Sequence, residues 1–276
     1  MDEIVDLEVK MKTRIISAVV ALAVFIPLLI LGGMWFHIGM WLVSMVCLWE
    51  FLKIKSTKKE LPAFVQFISY IVMSSLIFNF MEQSSLTFTL DYRLLACLFL
   101  VFLIPTILYH DREKYSVNDA FYLIGGILFL GISLSLIMMI RNISLSKTVY
   151  LFLITIMTDT YAYFTGMLIG KHKLLESISP KKTVEGLVGG TFFGVLIPTV
   201  FYHFVVSPAT PVYQVVIVTL FLSILGQFGD LVFSCIKRYF GKKDFSNIMP
   251  GHGGLLDRLD SIIFVVLGFA FFISII

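Results

Sequence analysis

Nine apolar runs, each about as long as a bilayer is thick, constrain this chain more than any other feature. A hydrocarbon core about 30 Å deep takes roughly 20 helical residues to cross. The runs lie at 15–31, 34–53, 62–80, 93–109, 118–140, 147–170, 184–206, 211–233 and 259–275. With 58% hydrophobic and 14% charged residues over 276 positions, the chain cannot hide that surface in one water-soluble core, because small domains leave much of their surface wet. The expected fold class is all-α: a polytopic integral membrane protein with about nine transmembrane helices.

Charge gives the expected orientation, because basic loops stay on the cytoplasmic side. With a cytoplasmic N-terminus, the inner segments carry Lys10, Lys12 and Arg14; Lys53, Lys55, Lys58 and Lys59; Arg112 and Lys114; Lys171, Lys173, Lys181 and Lys182; and Lys237, Arg238, Lys242, Lys243 and Arg258. That is 18 of the 21 Lys and Arg, leaving Arg93, Arg141 and Lys147 outside. Such a one-sided distribution implies an anionic partner there, lipid headgroups or a phosphorylated substrate. Nucleic acid is not expected, since no soluble module exists to grip it. Cys47, Cys97 and Cys235 lie in or at the ends of apolar runs without CxxC spacing, so they read as small buried hydrophobes rather than a disulfide or zinc framework. The first apolar run lacks a small-x-small cleavage site and is expected to be a retained span.

The chain divides by character near residue 146. Residues 1–146 read as scaffold helices. Pro27 and Pro105 are expected to kink their spans, and Glu50, near Lys53 and Lys55, reads as one of a solvated interfacial pair. Residues 147–276 read as the catalytic region, with cytoplasmic loops 171–183 and 237–258, because polar residues enter its spans. Asp159 sits in an apolar helix with Thr160 and Tyr163, and an ionisable group there is costly enough to suggest function. Asp159, Tyr163, Gly166 and Gly170 share a helical face.

In "SISPKKTVEG", Ser179 before Pro180 marks a turn, Thr183 is a candidate N-cap, and Lys181 and Lys182 stand at the membrane rim. Gly186, Gly189, Gly190 and Gly194 form a small-residue face suited to close helix packing. Gln227, Asp230, Ser234 and Lys237 form one stripe that should turn away from lipid, whereas Phe233 and Phe240 read as ordinary packing.

The stretch "GKKDFSNIMPGHGGLLDRLDS" then joins two apolar runs. Glycines around His252 let the backbone approach a bulky anion, though GxxxxGK[ST] is absent. Asp257 and Asp260 are three apart, on one face of a helix that starts there. Together with Asp230 they could hold a hard divalent cation, and Arg258 could fork to a phosphate. For Asp257 and Asp260 alone, favourable placement at a helix N-terminus explains as much. Carboxylates, bases and a glycine loop at a membrane edge suit phosphoryl or nucleotidyl transfer, which needs charge neutralisation and alignment more than a covalent nucleophile.

At these residues the chain resembles the phosphatidate cytidylyltransferases, or CDP-diacylglycerol synthases. Their pattern S-x-x-K-R-x4-K-D-x-[GSA]-x2-[LIF]-P-x-H-G-G-x-x-D-R-x-D is met by Ser234, Lys237, Arg238, Lys243, Asp244, Ser246, Pro250, His252, Gly253, Gly254, Asp257, Arg258 and Asp260, with Met249 the one departure. Asp159, Ala162, Tyr163, Gly166 and the run Ser179–Thr183 with Glu185 and Gly186 also look like the family's. The resemblance covers residues 147–276 by motif and the first half by hydropathy alone.

It implies that CTP and phosphatidic acid give CDP-diacylglycerol and pyrophosphate, in phospholipid biosynthesis at the cytoplasmic face of the plasma (inner) membrane. It further implies magnesium, with potassium as a second ion. Asp230, Asp257 and Asp260 would bind metal; Lys181, Lys182, Lys237, Arg238, Lys243 and Arg258 would hold phosphates; Ser179, Ser234 and His252, with Gly253 and Gly254, would position substrate. A CTP-dependent polyprenol or dolichol kinase is the alternative enzyme, and a cation-coupled transporter using Asp159 and Asp230 the alternative from another class. The small-residue faces add a homodimer as an expectation.

Overall fold

Most of the described residues are helical, as a membrane demands when no water is available to satisfy backbone N–H and C=O groups. The structure, a computed structural model, describes residues 2–81, 91–109, 111, 113–273, 275 and 276, without the side chains of 2–12, 14, 15 and 81. The side chains of Lys10, Lys12, Arg14 and Arg112, counted above, lie outside it. The helices are α1 (Asp2–Leu31), α2 (Gly33–Ser56), α3 (Ala63–Met81), α4 (Tyr92–Leu103), α5 (Pro105–Leu108), α6 (Val117–Ile143), α7 (Leu145–Ile169), α8 (Val184–Phe201), α9 (Val212–Tyr239) and α10 (Leu256–Phe272). Strands β1 (Lys173–Leu175) and β2 (Ser179–Thr183) pair antiparallel between α7 and α8.

Each apolar run coincides with helix. Among the described residues, six helical segments are long and apolar enough to cross a membrane: Gly33–Ser56, Ala63–Phe80, Val117–Ile143, Leu145–Ile169, Val184–Val206 and Val212–Tyr239. This is a helical membrane protein. The remaining runs fall in shorter pieces, Ile16–Leu31, Tyr92–Leu108 and the 17 residues of α10. Pro105 separates α4 from α5, whereas Pro27 is accommodated within an unbroken α1.

Two compact units emerge, one of residues 1–139 with 240–258, the other of 140–239 with 259–276. In the first, α6 packs against α2 where Gly126 leaves room for the Phe51 ring, which an added Cβ would strike. The Phe51 ring stacks on Tyr122 at 4.4 Å, and the Tyr122 hydroxyl donates to Phe51 O at 3.1 Å. Below them Asp119, 2% exposed, takes Lys55 at 2.7 Å and Lys59 at 2.5 Å. Helix α3 joins α2 where Trp41 Nε1 donates to Ser74 Oγ at 3.0 Å.

The second unit is built on small residues. A Cβ added at Gly190 would lie 2.7 Å from both Ala162 Cβ and Thr158 O, and one at Gly186 would lie 2.7 Å from Ala162 O, so α7 and α8 touch backbone to backbone. Gly194 backs onto Thr158 and Ser223, whose hydroxyls bond at 2.8 Å and tie α7 to α9. The glycine face expected at 186–194 is therefore used within the chain, and it offers no argument for a second copy.

Candidate active site

In the second unit the polar stripe of α9 turns inward. Gln227, Ser234 and Lys237 are 7–8% exposed, and the amide of Gln227 donates to Thr191 Oγ1 of α8 at 2.8 Å. Asp230, the next turn along, receives Lys182 Nζ at 2.6 Å and the Ser234 hydroxyl at 3.3 Å. Asp230 is thus met from β2 and from its own helix.

The hairpin that delivers Lys182 corrects one expectation. Ser179 and Pro180 lie in strand β2, and the turn comes earlier, at 176–178. Lys173 Nζ donates to Pro180 O at 2.7 Å across the hairpin, and Arg238 Nε reaches Ile178 O at 3.3 Å. The hairpin ends where Thr183 caps α8, its side chain accepting from Gly186 N at 3.1 Å as its position before the helix predicted. Glu185 in the first turn of α8 accepts from the N–H groups of Lys171 and His172 and pairs with His172 Nδ1 at 2.6 Å. Lys181 points outward and is exposed.

Asp260, 8% exposed in the first turns of α10, lies within the electrostatic reach of Asp230, Asp159 and Lys237. The close approach comes from Gly229, where an added Cβ would sit 2.7 Å from Asp260 O. Two aspartates and a buried lysine are therefore gathered in this unit, with Asp159 as a further like charge. Asp159 and Tyr163, expected on one face of α7, are both exposed, Tyr163 at 67%.

In the first unit, the loop 240–258 is folded around carboxylates that accept backbone N–H groups. Asp257 Oδ2 accepts from Phe245 N at 2.9 Å and Gly254 N at 2.8 Å. Gly251 and Gly253 have φ of 78° and 86°, a region that disfavours any side chain. The turn is closed by Gly253 N donating to Met249 O at 3.1 Å and Met249 N to Gly253 O at 3.0 Å. His252 Nδ1 meets Ser17 Oγ of α1 at 2.8 Å. Arg258 donates through Nε and Nη2 to His252 O, at 3.1 and 2.6 Å, so the guanidinium braces the loop as well as facing outward. Lys243 is exposed beside Asp244.

One residue read differently from the sequence. Glu50 is not a solvated partner of Lys53 and Lys55: it is fully buried, accepting from Ser246 Oγ at 2.5 Å, Leu255 N at 2.8 Å and Leu256 N at 2.7 Å. Lys55 instead pairs with Asp119, and Lys53 covers the Trp49 ring at 4.3 Å. The signal was present in that Glu50 is the sole acid between Glu8 and Glu60.

Residues 12–276 match the sequence profile of the Cytidylyltransferase family. The chain belongs to that family. It is also similar to proteins named phosphatidate cytidylyltransferase in Staphylococcus haemolyticus (34% identical over 257 residues), Staphylococcus saprophyticus (35% over 257) and Staphylococcus aureus strain COL (36% over 256). Each comparison covers 93% of this chain and 96% of the relative.

The donor chemistry of this cytidylyltransferase can be set against a magnesium ion. Among the described residues, no three His, Cys, Asp or Glu side chains gather into a cage. Magnesium does not need one: it is commonly held by one or two carboxylates, completing its shell with phosphate oxygens and water. Asp230 and Asp260, close enough to repel one another, fit that mode.

Proposed function

We propose that this chain transfers the cytidylyl group of CTP to phosphatidate, giving CDP-diacylglycerol and pyrophosphate for phospholipid synthesis. The observation that carries the reading is Asp230, held by Lys182 at 2.6 Å and flanked by Ser234, in a cytidylyltransferase whose relatives bear the name of that reaction. A carboxylate–ammonium pair about a third exposed is worth little in water. A triphosphate can therefore claim the lysine and a cation the aspartate.

The chain's residues have distinct work in this scheme. Lys181, Lys182, Lys237, Arg238, Lys243 and Arg258 bind phosphate oxygens and offset their charge, and Ser179, Ser234 and His252 orient substrate. Asp230 and Asp260 would hold magnesium, which supplies charge neutralisation at the transferring phosphorus; Asp257 keeps the metal-binding role that the resemblance implies. A phosphatidate oxygen forms the new bond to the α-phosphorus of CTP, and the α–β bridging bond breaks with its electron pair leaving on pyrophosphate. No protein base is needed, because the lipid phosphate is already ionised at neutral pH.

For the membrane arrangement, we take all nine apolar runs as crossings with a cytoplasmic N-terminus. The 18 basic residues on one side and three on the other support this topology. The reaction is tested with purified protein in detergent, phosphatidic acid, magnesium and CTP, following pyrophosphate and the nucleotide lipid, beside Asp257→Asn. Turnover that needs magnesium and is lost in the variant is expected. Release of CDP with a phosphorylated lipid alcohol would point to a kinase instead.

A further inference from the structure

The buried acid of α2 has no part in the scheme above, although it touches the segment that carries most of the signature. Glu50 is fully buried, and an ionised carboxylate so placed is costly unless hydrogen bonds answer it. The donors come from the loop: Ser246 Oγ and Leu255 N to Oε1, Leu256 N to Oε2. Leu256 opens α10, so the carboxylate also meets the positive end of a helix dipole. Backbone donors at a helix start are otherwise left without partners.

The loop is shaped for this contact. A Cβ at Gly254 would fall 2.5 Å from Glu50 Oε1, so glycine is what allows the carboxylate to reach the backbone. Gly254 N is taken from elsewhere by Asp257 Oδ2, which also accepts Phe245 N. Two carboxylates thus share four successive or facing N–H groups and fix where α10 begins. Asp257 and Arg258 follow within two residues of the Glu50 contacts, and His252 precedes them by three.

We propose, resting on the reaction read above, that Glu50 is a positioning residue: it locks the 246–257 turn so that Asp257, Arg258 and His252 are held for the phosphates. A charge-assisted hydrogen bond contributes more than a neutral one, and this carboxylate makes three. An amide in its place keeps the shape but must turn its NH2 toward a backbone N–H or the Ser246 hydroxyl. Donor then faces donor at one end of the contact.

The test compares wild type, Glu50→Gln and Glu50→Asp in detergent, by steady-state turnover with CTP and phosphatidic acid and by hydrogen exchange of peptides from the loop and from α6. Misplacing reacting groups by about an ångström costs rate more than affinity, so Glu50→Gln should lower kcat about a hundredfold while KM for CTP changes less than about threefold. Exchange at 254–257 should accelerate about tenfold with the charged acceptor gone, while α6 is unchanged, and Glu50→Asp should recover part of both. Turnover of Glu50→Gln within about twofold of wild type would overturn the proposal. So would exchange that quickens as much in α6 as in the loop, since that is general loosening. The exchange result does not depend on turnover: an inactive wild type would sink the reaction reading, whereas unaltered loop exchange in Glu50→Gln would sink this one.

Discussion

Glu50 and Asp257 of the first compact unit are held in the opposite way to Asp230 of the second. In the first, Glu50 and Asp257 accept from main-chain N–H groups, five such or hydroxyl bonds between them at 2.5–2.9 Å. In the second, Asp230 is met by side chains, Lys182 and Ser234. A backbone N–H cannot change partner without unfolding its turn, so the first set holds a shape. A lysine with 27% of its side chain exposed can swing to another anion at small cost. The second set is therefore suited to exchange ligands and the first to stay still.

The sharpest way to break that contrast is Asp230→Asn. On the proposed reaction it removes a charge that would hold a cation near the transferring phosphorus, a contribution of several kcal/mol, so turnover should fall about a thousandfold. The fold should survive, as judged by an unchanged melting temperature in detergent; unfolding instead would make Asp230 a structural acid like Glu50. Lys182→Ala should be milder, raising KM for CTP about tenfold because it weakens binding more than the chemical step. A KM that stays put while kcat falls would mean that the pair orients Asp230 rather than exchanging.

Smaller effects separate a close helix contact from an open helix face. Gly190→Val would push a side chain into Ala162 and Thr158 O, both 2.7 Å from where its Cβ must lie. Overpacking of this kind should cost about 1–3 kcal/mol by reversible unfolding in detergent. Gly125 of α6 has no atom within 4 Å of an added Cβ, so Gly125→Ala should be stabilising by about 0.5–1 kcal/mol through helix propensity. Equal effects at the two positions would deny that the α7–α8 contact depends on glycine.

Much of this was legible beforehand because the signals are local. The apolar runs marked the helices, Thr183 declared itself as an N-cap, and the glycines at 186–194 announced a close contact. The α9 stripe was readable from its spacing, since Gln227, Asp230, Ser234 and Lys237 can share a face only on a helix. Glu50 was misread because its neighbours in sequence, Lys53 and Lys55, are not its neighbours in space: 196 residues separate it from Ser246. Ser179 and Pro180 were misplaced into a turn because proline is also tolerated at the edge of a two-stranded hairpin, which has free edges on both sides.

By itself, then, the sequence determined that the chain would be helical and membrane-embedded, and it nominated the acids and bases that the proposed reaction uses. Composition and helical periodicity act over a few turns and need no partner. What only the tertiary structure decided was the role of each acid: Asp230 against a lysine from a hairpin, Glu50 against the N–H groups that open α10. A carboxylate's function depends on which donors surround it, and those are brought by segments whose distance along the chain says nothing of their distance in space.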